Sequence, residues 1–127
     1  MEFNVFGNDR GLGKMYRVRE RWIGTWDPDT ERLLGSRVEF YVEAYPIIKL
    51  TPKGKWIEYH GRDSLSDKRF ILNEAGKRFA HETKEGALKA YQARRKRQIA
   101  ILSGQLERAK TALAMANFVD VEKLCCY

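Results

Sequence analysis

The stretch Ala93-Arg94-Arg95-Lys96-Arg97-Gln98 is the part of this chain whose residue types most plainly belong to chemistry with an anion. No Asp or Glu occurs between Glu85 and Glu107, whereas Lys89, Arg94, Arg95, Lys96 and Arg97 all lie there. An exposed helix ordinarily mixes both signs to gain i,i+4 pairs, so an acid-free run of cations gives up that support. Four successive helical residues sweep roughly 300° of the axis, and no single flat surface engages all of them. Arg94 and Arg97 share one face, Lys89 and Lys96 another. The planar guanidinium fork binds phosphate oxygens two at a time. The run therefore reads as a phosphate-binding site for a nucleotide-type small molecule or a nucleic acid. The competing reading is a solvated run neutralised by Glu39, Glu43 or Glu58.

Aromatic residues lie among the cations. Trp56 and Tyr59 follow Lys53 and Lys55, Phe70 follows Lys68-Arg69, Phe79 follows Lys77-Arg78, and Tyr91 precedes the arginine run. Bases stack on aromatic rings beside a cationic groove. Phe79 and Tyr91 flank the start of the basic segment and are the expected stacking residues. Core packing is the competing role for each, because aromatics that alternate with polar residues are usually buried. A second cationic strip, Arg17, Arg19 and Arg21, occupies alternate positions of one strand; cross-strand pairing with Glu39 and Glu43 is its equally good alternative.

Enzymatic signals are weak. Gly7-Asn8-Asp9-Arg10-Gly11-Leu12-Gly13-Lys14-Met15 resembles a P-loop, but its first Gly is one residue too distant and Met15 replaces the magnesium-binding Ser or Thr. His60, Asp63 and Ser64 are hydrolase residue types without a nucleophile elbow. His60, His81, Cys125 and Cys126 lack metal-ligand spacing. No catalytic residue, metal or cofactor is assigned, and a small hydrolase using His60 and Asp63 ranks last.

The elements that must position these residues follow from periodicity. Met15–Ile23 alternates, with Tyr16, Val18, Glu20 and Trp22 on one face and the three arginines on the other. Trp26-Asp27-Pro28-Asp29-Thr30 supplies a turn. Arg37–Tyr45 alternates again, with Val38, Phe40, Val42 and Ala44 on one face. Pro46 and Pro52 bracket a short apolar strand at Ile47–Leu50. Lys55–His60 reads as a strand, and Lys68–Leu72 with Lys77–Ala80 as a last hairpin turning at Asn73–Gly76. From Thr83 the period changes to steps of four and three through Leu88, Gln92, Arg95, Ile99, Leu102, Leu106, Ala109, Leu113 and Ala116, a heptad seam. Thr83 is the expected N-cap. Ser103-Gly104 leaves open one helix over about 84 to 117 or two hinged at Gly104. A seam this long exceeds what the sheet covers, which implies a second chain.

Composition bounds the remainder. The chain has 127 residues, 43% of them hydrophobic, and a net charge of +7, enough for one modest core and hardly two domains. Residues 1–63 carry +1 of that charge and residues 64–127 carry +6. Two adjacent cysteines cannot staple a fold, which points to a reducing, intracellular setting. No apolar run approaches a bilayer span.

The series Lys68-Arg69-Phe70-Ile71-Leu72-Asn73, Arg78-Phe79-Ala80, Thr83-Lys84-Glu85, Ala87-Leu88 and Arg94-Arg95-Lys96-Arg97-Gln98-Ile99 resembles a pattern in small uncharacterised phage and prophage proteins. That pattern usually carries an acid after Thr-Lys-Glu, where this chain has Gly86. A sheet followed by helices is also similar in outline to the Thoeris anti-defence nucleotide-sponge proteins. Members of that family sequester cyclic ADP-ribose-type signals, and some also hold cyclic oligonucleotides, in oligomer-interface pockets with arginine and aromatic contacts. The likeness is one of architecture, and no site residue carries over from it.

The combined expectation is a single α+β domain over residues 1–127. An N-terminal antiparallel sheet of about five strands (1–82) precedes a long C-terminal helix or helix pair (83–124), assembled as a homodimer or higher homo-oligomer. The expected function is a non-enzymatic, phage-type counter-defence protein in the host cytoplasm. It would sequester a phosphate-bearing nucleotide signal at the basic helix, near an oligomer interface. The alternative is a DNA- or RNA-binding protein, or an inhibitor of a nucleic-acid-handling complex, acting through the same surface.

Overall fold

The computed structural model of the chain describes residues 2–5, 10–60, 66–74 and 76–125. The fold is α+β, five strands followed by one long helix: β1 (Glu2–Val5), β2 (Lys14–Asp27), β3 (Arg32–Leu50), β4 (Gly54–His60), β5 (Ser66–Leu72) and α1 (Lys84–Ala116). A 3-10 turn at Val121–Lys123 follows, opened by Asp120 Oδ1 accepting from the Glu122 N–H at 3.1 Å.

β3 is the central strand, pairing with β1, β2 and β4. β2 pairs antiparallel with it from Asp27↔Arg32 to Lys14↔Pro46, and β4 continues antiparallel from Ile47↔Ile57 to Leu50↔Lys55. β5 pairs antiparallel with β4, and β1 joins β3 in the parallel sense at Tyr41–Ala44. Sequence reading separates Ile47–Leu50 as its own strand, but it is the continuation of β3 through Pro46. Pro46 stands where β2 pairing ends and β4 pairing begins, a place where a missing N–H costs no ladder bond. The turn between β2 and β3 forms as its residues dictate: Asp27 accepts from the Asp29 N–H at 3.0 Å and from the Thr30 hydroxyl at 2.7 Å.

The expected second hairpin does not form. Lys68–Leu72 is a strand, but it pairs with β4 along its whole length, and Lys77–Ala80 has no regular structure. Burial holds that segment instead: Ala80 is fully enclosed with Met15, Tyr45, Ile47, Ile57 and Ile71, and Phe79 packs at the edge of this cluster. His81 then bridges β2, its N–H donating to Tyr16 O at 2.8 Å and its carbonyl accepting from Tyr16 N at 2.7 Å.

Two residues on, the helix begins. Thr83 Oγ1 accepts from the Gly86 N–H at 3.0 Å, the expected N-cap. A Cβ at position 86 would lie 3.0 Å from that hydroxyl, a tight contact for any larger residue. Ala87 is the one buried residue of α1 among the described residues, packed on Val18 and Val42, with Tyr16, Leu88 and Tyr91 around them. α1 runs unbroken for 33 residues through Ser103-Gly104, about 50 Å at 1.5 Å per residue, so the single-helix alternative is the one realised.

The chain divides into two compact units, Met1–Tyr91 and Gln92–Tyr127, so the division falls inside α1. The first unit contains the sheet and both core clusters. In the second, every described residue from Lys96 onward is exposed. No helix among the described residues is long and apolar enough to cross a membrane.

Two substitutions probe these elements. Ala87→Leu inserts extra methylenes against Val18 and Val42, and chemical denaturation is expected to show a loss of about 1–3 kcal/mol. Gly104→Ala meets open space, and removing the mid-helix glycine is expected to stabilise α1 by up to about 1 kcal/mol, read as increased helicity on heating.

Candidate anion-binding site

The basic run lies on α1 as expected, and its members differ in their surroundings. Lys89, Lys96 and Arg97 are exposed, and none of them has an ion-pair or hydrogen-bond partner among the described residues. Arg94 and Arg95 are half-buried, and Arg95 Nη1 donates to Gln98 Oε1 within the helix. Glu39 and Glu43, possible neutralisers of this run, are bound elsewhere.

Their partners are the β2 arginines. Arg19 Nε donates to Glu43 Oε2 at 3.0 Å, and Arg21 Nη2 to Glu39 Oε2 at 3.1 Å, with Arg37 also 3.3 Å from Glu39. Cross-strand pairing thus accounts for Arg19 and Arg21. Arg17 does something different: Nη1 donates to Phe79 O at 2.7 Å, and its guanidinium lies 4.5 Å from the Phe79 ring centroid. Tyr45 also donates to Glu43; burial, then that hydrogen bond, raises its phenol well above the ordinary range.

The expected stacking residues are held inside the first unit. Phe79 lies under the Arg69 guanidinium at 4.1 Å as well as that of Arg17, with Tyr45 and Tyr59 at centroid distances of 5.5 and 5.9 Å. Tyr91 packs edge-on against Phe40 at 5.5 Å, and its hydroxyl donates to Glu20 Oε2 at 2.6 Å. Both rings serve packing. The Tyr91–Glu20 bond joins positions 71 apart, a distance at which local spacing carries no signal.

Sequence reasoning also passed over an ion pair next to the helix. Arg78 donates to Glu82 through both terminal nitrogens, one at 3.0 Å, and Lys55 Nζ approaches the same carboxylate at 3.5 Å. Their spacing of four residues was visible, yet the segment between them was read as a strand. The hydrogen bonds from Arg78 hold the Glu82 carboxyl at about 2, below its ordinary 4.5.

A further group escaped notice as a unit. Arg10, Lys49 and Lys68 converge with Ile48 and Trp56 on a cleft of about 360 Å³ in the first unit. Trp56 was noted beside Lys53 and Lys55, but strand register brings Lys49 opposite it instead.

The hydrolase residues Asp63 and Ser64 lie outside the described residues, as do the side chain of His60 and Cys126; Cys125 is a free, exposed thiol. No group of three His, Cys, Asp or Glu side chains among the described residues is placed to hold a metal. Comparison of the chain with protein-family models, with curated proteins and with solved structures returns no match. What the chain binds has therefore to be read from its own residues.

The Glu82 pair sets a pH dependence. Because its folded pKa is depressed to about 2, the stabilisation is complete above the unfolded value near 4.5 and is lost as pH falls through 2. Arg78→Ala is expected to flatten the acid limb of stability between those limits and leave the slope near neutrality unchanged, as measured by thermal melts across pH.

Proposed function

We propose that this protein is a non-enzymatic binder of nucleic acid, engaged through the phosphate backbone by the helical run from Lys89 to Arg97. The observation that carries this reading is the absence of carboxylates from residues 86–106, combined with solvent exposure of Lys89, Lys96 and Arg97 and no partner for them among the described residues. Cations left without acids on an open helix gain little for the fold. Neutralising successive phosphates, with release of condensed counterions, is the interaction that rewards such an arrangement. A sequestered small nucleotide, as the sponge resemblance implies, asks for an enclosing aromatic pocket, and Phe79 and Tyr91 are committed to packing. An open surface favours the extended polyanion.

The proposal includes a second copy of this chain on the apolar stripe of α1. Ile99, Leu102, Leu106 and Leu113 follow the heptad spacing and are between 52% and 67% exposed. Lys96, Ser103 and Lys110 line one flank of the stripe; Gln98, Gln105 and Ala112 line the other. A parallel pair sets the lysine flank beside the uncharged one, whereas an antiparallel pair sets lysine against lysine. Parallel pairing also brings both copies of Arg94–Arg97 to one level, and the bound polyanion offsets their repulsion.

Fluorescence anisotropy with duplex and single-stranded oligonucleotides over a salt series tests the binding. Combining Lys89→Gln, Lys96→Gln and Arg97→Gln is expected to weaken binding alike across sequences and to lower the salt slope by about 2 to 3. An unchanged slope contradicts the reading. Sedimentation tests the pairing: wild type is expected to run as a dimer and Leu102→Glu with Leu106→Glu as a monomer. A wild-type monomer at every concentration removes the second copy from the proposal.

A further inference from the structure

The cleft lined by Arg10, Ile48, Lys49, Trp56 and Lys68 lies on the outer face of the β3–β4–β5 part of the sheet and shares no residue with α1. Strand alternation places it there. Ile57 and Ile71 face the core, so their neighbours Trp56, Phe70 and Lys68 face outward. Lys49 is the register partner of Trp56, and Phe70 is its partner on the other side. The Trp56 and Phe70 rings are 5.2 Å apart and tilted by 48°, which buttresses the indole while leaving it 36% exposed.

Arg10 reaches the cleft because of the glycines that resemble a P-loop. Gly11 and Gly13 take φ values of +76° and +96°, conformations that an L side chain would strain. Their turn lays Gly13 against β3, where its carbonyl accepts from the Ile47 N–H at 3.0 Å. The motif has the glycines of a phosphate loop for a different reason: they carry an arginine around the end of β2 to the sheet face.

Charge completes the site. Arg10, Lys49 and Lys68 are exposed cations with no side-chain partner among the described residues, and no carboxylate lines the cleft. Glu58 stands opposite Lys68 in the ladder and outside the cleft lining. The volume of about 360 Å³ falls within the range of small-molecule sites and suits one nucleotide. An aromatic face beside three uncompensated cations matches a ligand with a flat π-system at one end and phosphate at the other.

We propose that this cleft binds a nucleoside phosphate, its base stacked on Trp56 and its phosphate held by Arg10, Lys49 and Lys68. The ligand is a free nucleotide or one residue of a single strand; the chemistry is the same for both. The site stands independently of the helical run proposed above.

Isothermal titration calorimetry separates the possibilities. The probes are adenosine, inorganic pyrophosphate, ADP and a short oligodeoxythymidylate, titrated into the wild-type protein and into the protein carrying Lys89→Gln, Lys96→Gln and Arg97→Gln, in which oligonucleotide binding reports the cleft without the helical run. ADP or the oligonucleotide is expected to bind at least about tenfold tighter than adenosine or pyrophosphate alone, because only they engage both halves of the cleft. Preference for ADP identifies a free nucleotide, and preference for the oligonucleotide a strand. Trp56→Leu is expected to reduce affinity about tenfold, with Trp56→Phe restoring most of it as a control for folding. Lys49→Gln with Lys68→Gln is expected to bring a loss of similar size. The combined Lys89, Lys96 and Arg97 substitutions are expected to leave ADP binding unchanged, so the cleft and the helix fail or succeed separately. No heat with ADP or oligonucleotide, equal affinity for pyrophosphate and ADP, or indifference to both Trp56→Leu and the lysine pair overturns the proposal.

Discussion

The contact of Ala87 with Val18 and Val42 is the constraint on which the seating of the first helical turns of α1 in the first unit depends. It is the one place where a helix of 33 residues buries a side chain among the described residues. Around it are polar ties that fix the angle of entry: the Tyr16–His81 bridge, the Thr83 cap, the Arg17 bond to Phe79 O and the Tyr91 hydroxyl on Glu20. Small apolar contact supplies proximity and the hydrogen bonds supply direction, since burial alone is not directional. A larger residue at 87 would lift the helix from β2 and β3 and loosen every one of these ties.

The two proposed phosphate contacts fall on parts of the chain that differ in character. On α1, cations are presented without acids on an open surface, which suits affinity for a polyanion irrespective of its bases. At the sheet cleft, fewer cations accompany an indole, which adds a requirement for a π-face. Arginines placed on β2 look similar in sequence yet are spent on Glu39, Glu43 and the Phe79 carbonyl. Whether a cation is available depends on acids brought near by strand register, and charge counting along the chain does not see register.

Much of the architecture was legible in the sequence because it depends on local periodicity. The alternation through Val18 and Val42 marked the two long strands, and the change of period at Thr83 marked the helix and its cap. The reading of Lys77–Ala80 as a strand failed because Phe79 and Ala80 are held by a core assembled from four other segments rather than by a ladder partner. Pro46 misled in the opposite sense, since a proline between apolar runs looks like a boundary and here marks a change of pairing partner. Of the proposed site residues, the helical cations stood out in the sequence through the missing acids. The cleft did not, because Arg10, Lys49, Trp56 and Lys68 are scattered over nearly sixty positions and meet only through the pairing of β3, β4 and β5 and the turn at Gly11 and Gly13. The packing contacts of Phe79 and Tyr91 were not legible, since their partners Arg17, Arg69 and Glu20 lie on other elements.

β3 changes character along its 19 residues. Its middle, Val42 to Ile47, contains most of the strand's buried side chains, while Arg32 to Arg37 are all exposed and paired only with the outer half of β2. The outer hairpin presents Trp22, Trp26, Leu33 and Leu34 to solvent, each more than half exposed. Ladder hydrogen bonds there close over no core, and they open at far lower free energy than the same bonds a few residues further on. One strand thus spans the full gradient of amide protection in this domain, from protons that exchange by fraying to protons that exchange only when the whole sheet comes apart.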